Sequence, residues 1–144
     1  MELTIKNYIA GSRPEVTKPI PEFYAFLKED GIRRLVSRHY DLLSQSIIKQ
    51  LFPPTVEGLE MAKVHSADFM IQICGGPMYY HQHRGQPMMV KRHAPFTITA
   101  QARLVWLSCY KQALQELDLP QEILLSFWNY IQVFSAWMVN TESN

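Results

Sequence analysis

The chain has little of what usually assigns a protein quickly. It holds two cysteines in 144 residues, Cys74 and Cys109, read most simply as reduced thiols rather than a disulfide. No apolar run approaches the ~20 residues that a bilayer span needs. The N-terminus shows no basic-then-apolar leader, which points to the cytoplasm. Neither charge dominates: 14 Lys and Arg against 13 Asp and Glu leave a net charge of +1, so neither nucleic acid nor an acidic membrane is expected as a partner. Flavin and nicotinamide motifs, internal repeats and low-complexity tracts are missing, and so is any sustained apolar–polar alternation over strand length. What remains is an all-α chain of one domain, with 47% apolar and 19% charged residues, the ordinary balance of a globular core.

Proline and glycine then set the elements. Residues 1–20 carry Gly11, Pro14 and Pro19 and read as an irregular or briefly helical extension, followed by one domain over 21–144. A short helix is expected from Glu22 to Lys28, ending near Gly31. A second runs from Ile32 to about Leu51, with Leu35, Val36, Tyr40, Leu43 and Ile47 at spacings of three and four, until Pro53-Pro54 stops it. The next covers Val56 to Cys74, with Gly75 placed to end it, and residues 75–87 are expected as loop. Thr97 or Thr99 can cap a long helix to about Leu117. Asp118 and Gln121 resemble a capping box for the last helix, with Pro120 in its first turn.

The most telling stretch is GGPMYYHQHRGQPMMVKRHAPF, Gly75 to Phe96. His93 sits in it one residue after Arg92, in a segment closed by Pro87 and Pro95 that has room for only a turn or two of helix. An imidazole on a short, stiff element beside a guanidinium suits a metal cofactor that also carries acid groups. Haem is such a cofactor: iron takes the imidazole nitrogen and the propionates take arginine. A neutral His93 would offer Nε2 to iron while Nδ1–H donates to the carbonyl of Met89 or Val90, one turn earlier. Of the other histidines, His81 and His83 read as solvated residues of a polar loop, and His39 and His65 lie in helices.

The segment closely resembles the truncated haemoglobins, specifically their group II or O-type branch. That branch's pattern appears here as Gly75-Gly76-Pro77, Tyr80, Arg84-Gly85-Gln86-Pro87, Arg92-His93-Ala94-Pro95-Phe96 and Trp106, in order. A weaker match extends from about Phe23 to Asn140, and residues 1–20 lie outside it. The resemblance implies a two-over-two helical sandwich with a short proximal helix, binding haem b with His93 as the iron ligand. Arg92 is implied at a propionate, with Tyr80, Lys91 and, from the opposite helix, His65 as candidates for the same edge, and Phe96 as pocket wall. Around the sixth iron position it puts Tyr40, Phe52, Ala62, Ser66 and Trp106. Phe52 stands where many members have tyrosine, and Ala62 where ordinary globins have the distal histidine, so the donors to a ligand are expected from Tyr40, Trp106 and Ser66. Cys74, where an aromatic usually precedes Gly-Gly, departs from the pattern at a position that bears on packing, and Gln86 replaces the commoner histidine of the Arg-Gly-x-Pro turn.

The function implied is binding of dioxygen, nitric oxide, carbon monoxide or peroxide, for storage, sensing or oxygen transport. The rival is an enzyme on the same iron, for nitric oxide dioxygenation or peroxide reduction, which needs electrons from a separate reductase because the chain holds no flavin or nicotinamide motif. Monomer and homodimer both stay open.

Overall fold

The computed structural model describes residues 3–142 and, among them, contains helices and no strand. Met1, Glu2, Ser143 and Asn144, the outermost residues of the expected extension and domain, lie outside the described part. The helices are α1 (Pro21–Leu43), α2 (Val56–Ile73), α3 (Tyr79–Arg84), α4 (Met89–His93), α5 (Ala100–Gln115) and α6 (Gln121–Met138), with a 3-10 turn at Lys49–Leu51. α1 packs on α2 and also contacts α5 and α6; α5 packs on α6, and the short α4 rests against α6. The core lies between these layers, with Phe23 stacked on Phe127 at 4.5 Å and Tyr110, Trp128, Leu107 and Ile131 buried around them.

Each boundary has a local cause. α1 is kinked at Lys28, whose φ of 60° is rare for a residue with a Cβ. The expected short first helix is therefore real, and its break falls at Lys28. α1 ends at Leu43 and not near Leu51 because two serines divert its carbonyls: the Ser44 hydroxyl donates to Asp41 O and that of Ser46 to Leu43 O, both at 2.7 Å. Ile47, placed on the inner stripe by periodicity, is consequently exposed. Thr55 and Thr99 cap α2 and α5 by accepting from Gly58 N and Ala102 N. α2 stops at Gly75-Gly76: Gly75 takes φ 95°, and a Cβ on Gly76 would come within 2.7 Å of Ile71 and 2.9 Å of Tyr24.

Two further expectations fail. Residues 79–84, expected as loop, form α3, held by tertiary contacts: Tyr79 donates to Glu29 at 3.1 Å and His83 meets the buried Asp68 at 3.0 Å. His83 is thus a bonded residue and not merely a solvated one. The capping box at α6 does not form either; Pro120 itself is the N-cap, with no side-chain hydrogen bond.

Residues 3–20 are irregular yet docked. Leu3 is buried, Thr4 O accepts from the Trp128 indole at 2.8 Å, Lys6 N donates to Gln132, and Pro14 O accepts from Trp137 at 2.8 Å. This segment lies along α6 as a strap. No helix of the described residues is long and apolar enough to cross a membrane.

Candidate functional site

Between α1, the 3-10 turn, α2, α4, α5 and α6 lies a cavity of about 310 Å³, within the range of small-molecule sites. Tyr40, Phe52, Ala62, His93, Phe96 and Trp106 all line it, together with Leu51, Ile98, Phe134 and Met138. Six of the eleven residues singled out from the sequence therefore meet around one apolar space, although they are spread over more than fifty positions.

His93 ends α4, a helix of five residues. Its Nδ1 lies 2.6 Å from Met89 O, one of the two carbonyls within reach in the sequence reading, and a carbonyl can only accept. Nδ1 therefore carries the proton and Nε2 keeps its lone pair. No described residue bonds that Nε2, and among the described residues no group of three or more His, Cys, Asp or Glu side chains stands together to hold a bare ion. One imidazole on an apolar wall fits a metal that brings its other ligands with it, as the iron of haem does. The donor set and the cavity thus fit that cofactor.

Another part of the lining is aromatic. Tyr40 and Phe52 meet edge to face at 5.6 Å, and Trp106 packs against Tyr110 at 5.0 Å and Phe134 at 6.2 Å. Burial raises the Tyr40 phenol above its ordinary pKa, with the adjacent Ser66 hydroxyl working against that shift, though no hydrogen bond of ordinary geometry joins the two. Among the described residues neither the Tyr40 hydroxyl nor the Trp106 indole N–H has an acceptor, so each retains a proton to offer into the cavity.

Other expected contacts fall elsewhere. Arg92 is spent largely on its own turn: Nε donates to Pro87 O at 2.7 Å, and Nη2 to Arg84 O at 2.8 Å and Gln86 O at 3.0 Å. Its guanidinium also lies 5.3 Å from the Tyr80 ring centre, so an acid group could take only Nη1. Tyr80 is not a cavity wall; α3 turns it inward, where it is buried against Phe69. Ser66 and His65 also stand outside the lining. The Nδ1 of His65 is buried without a partner, and burial first, then the Arg84 cation, lowers its pKa. Lys91 is exposed on α4. Among the large apolar residues, Phe96 and Phe134 line the cavity, Phe23, Phe69, Met70 and Leu107 are core, and Phe26 and Met88 are exposed.

Two residues of the site escaped the sequence reading. Arg103, buried to 5% exposure, lines the cavity and donates to Ser135 Oγ, Gln132 O and Lys6 O with no carboxylate partner among the described residues; burial lowers its pKa. Asn140 ties down the link after His93, donating to Phe96 O at 2.8 Å and accepting from Ile98 N at 3.0 Å. A lone arginine inside an apolar helix stripe was the signal for the first. Nothing local marked the second.

The comparisons with known proteins agree with this geometry. The family model described as bacterial-like globin matches residues 18–140. A group 2 truncated hemoglobin of Bacillus subtilis, YjbI, is 32% identical over 118 residues, covering 81% of this chain and 87% of its own length. The crystal structure of phosphate-bound Hell's gate globin IV superposes with a TM-score of 0.89 at 39% identity, covering 98% of this chain and 88% of that one. The truncated oxygen-avid haemoglobin of Bacillus subtilis superposes with a TM-score of 0.77 at 30% identity, covering 82% and 98%.

Proposed function

This chain belongs to the bacterial-like globins, among the group II truncated haemoglobins, and we propose that it holds haem b on His93 and binds dioxygen beneath two donors, Tyr40 and Trp106. The observation that carries the reading is the convergence on one cavity of a histidine whose Nδ1 is locked on Met89 O and two donors, Tyr40 and Trp106, that have no acceptor among the described residues. The relative named as oxygen-avid supports the choice of dioxygen among diatomic ligands.

When bound, haem supplies an iron that takes a diatomic ligand. The chain's own residues do the rest. The Met89 carbonyl fixes the tautomer and ring plane of His93 and raises the basicity of Nε2. Phe52, Leu51, Phe96, Ile98 and Phe134 keep the cavity apolar, which strengthens any hydrogen bond made inside it. Tyr40 and Trp106 donate to a ligand that carries partial negative charge, and Ala62 and Phe52 leave that task to them, since neither has a polar hydrogen to give. Each donor contributes about 0.5–1.5 kcal/mol, so the two together slow ligand escape by roughly tenfold or more. Slow release suits storage or sensing better than rapid delivery.

The test is optical. The purified protein, reduced under argon and then exposed to air, should shift its Soret band to that of an oxygenated haem protein and return when oxygen is removed. Immediate oxidation on every cycle, with no reversible oxygenated form, would refute dioxygen as the ligand.

A further inference from the structure

We propose that His39 is the positioning residue of the distal wall: its Nε2–H pins the main-chain carbonyl of Trp106, and its ring holds the Tyr40 and Trp106 side chains at the angle from which they donate. The proposal rests on the reading of Tyr40 and Trp106 as ligand donors.

His39 is 1% exposed and lies outside the cavity lining, directly behind it. Its Nε2 is 3.0 Å from Trp106 O, and since a carbonyl only accepts, Nε2 must carry the proton. The ring stacks on Tyr110 at 3.5 Å, meets Trp106 edge to face at 5.1 Å and Tyr40 edge to face at 6.0 Å. One imidazole therefore touches both proposed donors and the aromatic residue packed behind Trp106. Its other nitrogen, Nδ1, is buried with no partner among the described residues. A stranded acceptor destabilises a fold, and a phenylalanine would fill the same space without one. What imidazole adds over that ring is the single N–H to Trp106 O. The bond joins α1 to α5 across the seam where Tyr40 and Trp106 project, so it sets their relative register. Burial lowers the imidazole pKa to about 3, which keeps the ring neutral and the N–H in place over the range where such a protein works. The titratable groups that face it, Tyr40 and Tyr110, are pushed upward by the same burial and stay neutral too.

The experiment compares wild type with His39→Phe, which keeps a ring and removes the N–H, and with His39→Gln, which restores a donor at the same reach. His39→Phe should retain haem and release oxygen about two- to tenfold faster, the effect of loosening one donor. Its carbon monoxide complex should show a broadened or split C–O stretching band, reporting more than one indole orientation. His39→Gln should return both readouts toward wild type. If His39→Phe gives the wild-type band and release rate, the ring is packing alone and the proposal falls, while reversible oxygen binding by wild type leaves the functional reading standing. A readout independent of haem is the ¹⁵N spectrum of the His39 ring in wild type, haem-loaded or not. It should show protonated Nε2, bare Nδ1 and no titration between pH 8 and 5. The opposite tautomer, or titration near the ordinary histidine value, overturns the proposal even where His39→Phe fails to fold.

Discussion

The two sides of the cavity are built on opposite principles. The distal wall hangs from long helices: Tyr40 and His39 project from the 23-residue α1 and Trp106 from the 16-residue α5, and interlocked aromatic rings fix their places. The proximal side hangs from α4, five residues long and without one buried side chain. A helix of that length has no stability of its own, since isolated helices below about 12–15 residues are marginal in water. It is tethered instead through backbone carbonyls. Arg92 gathers those of Arg84, Gln86 and Pro87, Met89 O takes His93, and Asn140 holds the link that follows. The difference teaches that packing can aim a side chain only where a helix is long enough to be packed. Where the chain is cut short by Pro87 and Pro95, orientation is set by hydrogen bonds to the main chain.

This contrast makes acid the strongest way to separate the two sides. His39 titrates at about 3 in the folded chain against 6.5 in the open one, so between those values the unfolded state binds more protons. Its contribution is therefore present above about pH 6.5 and lost as pH falls, at up to about 1.4 kcal/mol per unit, or roughly 3 kcal/mol by pH 4. Denaturant melts of wild type and His39→Phe across that range should diverge by this slope; parallel curves would remove the buried neutral imidazole from the account. Next in size, Arg92→Leu should cost about 2 kcal/mol of local order by deleting three donated hydrogen bonds, seen as faster amide exchange confined to α3 and α4. Arg92→Lys should not rescue it, because lysine's donors all sit on one nitrogen, whereas Arg92 donates from both Nε and Nη2 of a planar fork. Exchange unchanged in α4 would mean that something other than Arg92 holds the proximal side.

On the distal side, Tyr40→Phe keeps the ring and removes one donor, so oxygen release should quicken by about three- to thirtyfold in a dry pocket. Trp106→Phe should act in the same direction, the double variant should be non-additive if the donors share one ligand, and carbon monoxide should respond less. Wild-type release from both single variants would make the two residues packing and no more. Smallest of all, Thr99→Ala should cost about 1 kcal/mol through the lost α5 cap. Thr55→Ala, which removes the equivalent cap of α2, should match it, since both bonds are of similar length. A Thr99 effect several times larger would show the cap to be part of the proximal tether.

Much of this was legible because the chain announces its stops. The proline pair at 53–54, the Gly75-Gly76 brake and the Pro87 to Pro95 window each mark a boundary by conformation alone. His93 stands out for the same reason, isolated on an element that has no room for a core face. What escaped depends on partners distant in sequence. α3 shows no apolar period and forms because Tyr79 reaches Glu29 and His83 reaches Asp68. Arg92 was placed at a cofactor's edge by its position, whereas the carbonyls it binds converge only once residues 84–87 have turned. Arg103 and Asn140 find these partners 29 or more positions away; a lone arginine in an apolar stripe marks the first without naming its partners, and no local pattern marks the second. His39 is the subtler case. Its place on the helix was plain, while its role depends on a carbonyl of another helix.

The measurement that bears most directly on the whole account is a haemin titration of His93→Gly with and without imidazole, followed through the Soret band. Wild type should saturate at one equivalent with the spectrum of an imidazole-ligated iron. His93→Gly should lose that spectrum or its retention of haem, and free imidazole should restore the wild-type band by entering the space left on the proximal wall. A His93→Gly protein that binds haem with the wild-type spectrum and no added imidazole would place the iron ligand elsewhere and contradict the account at its centre.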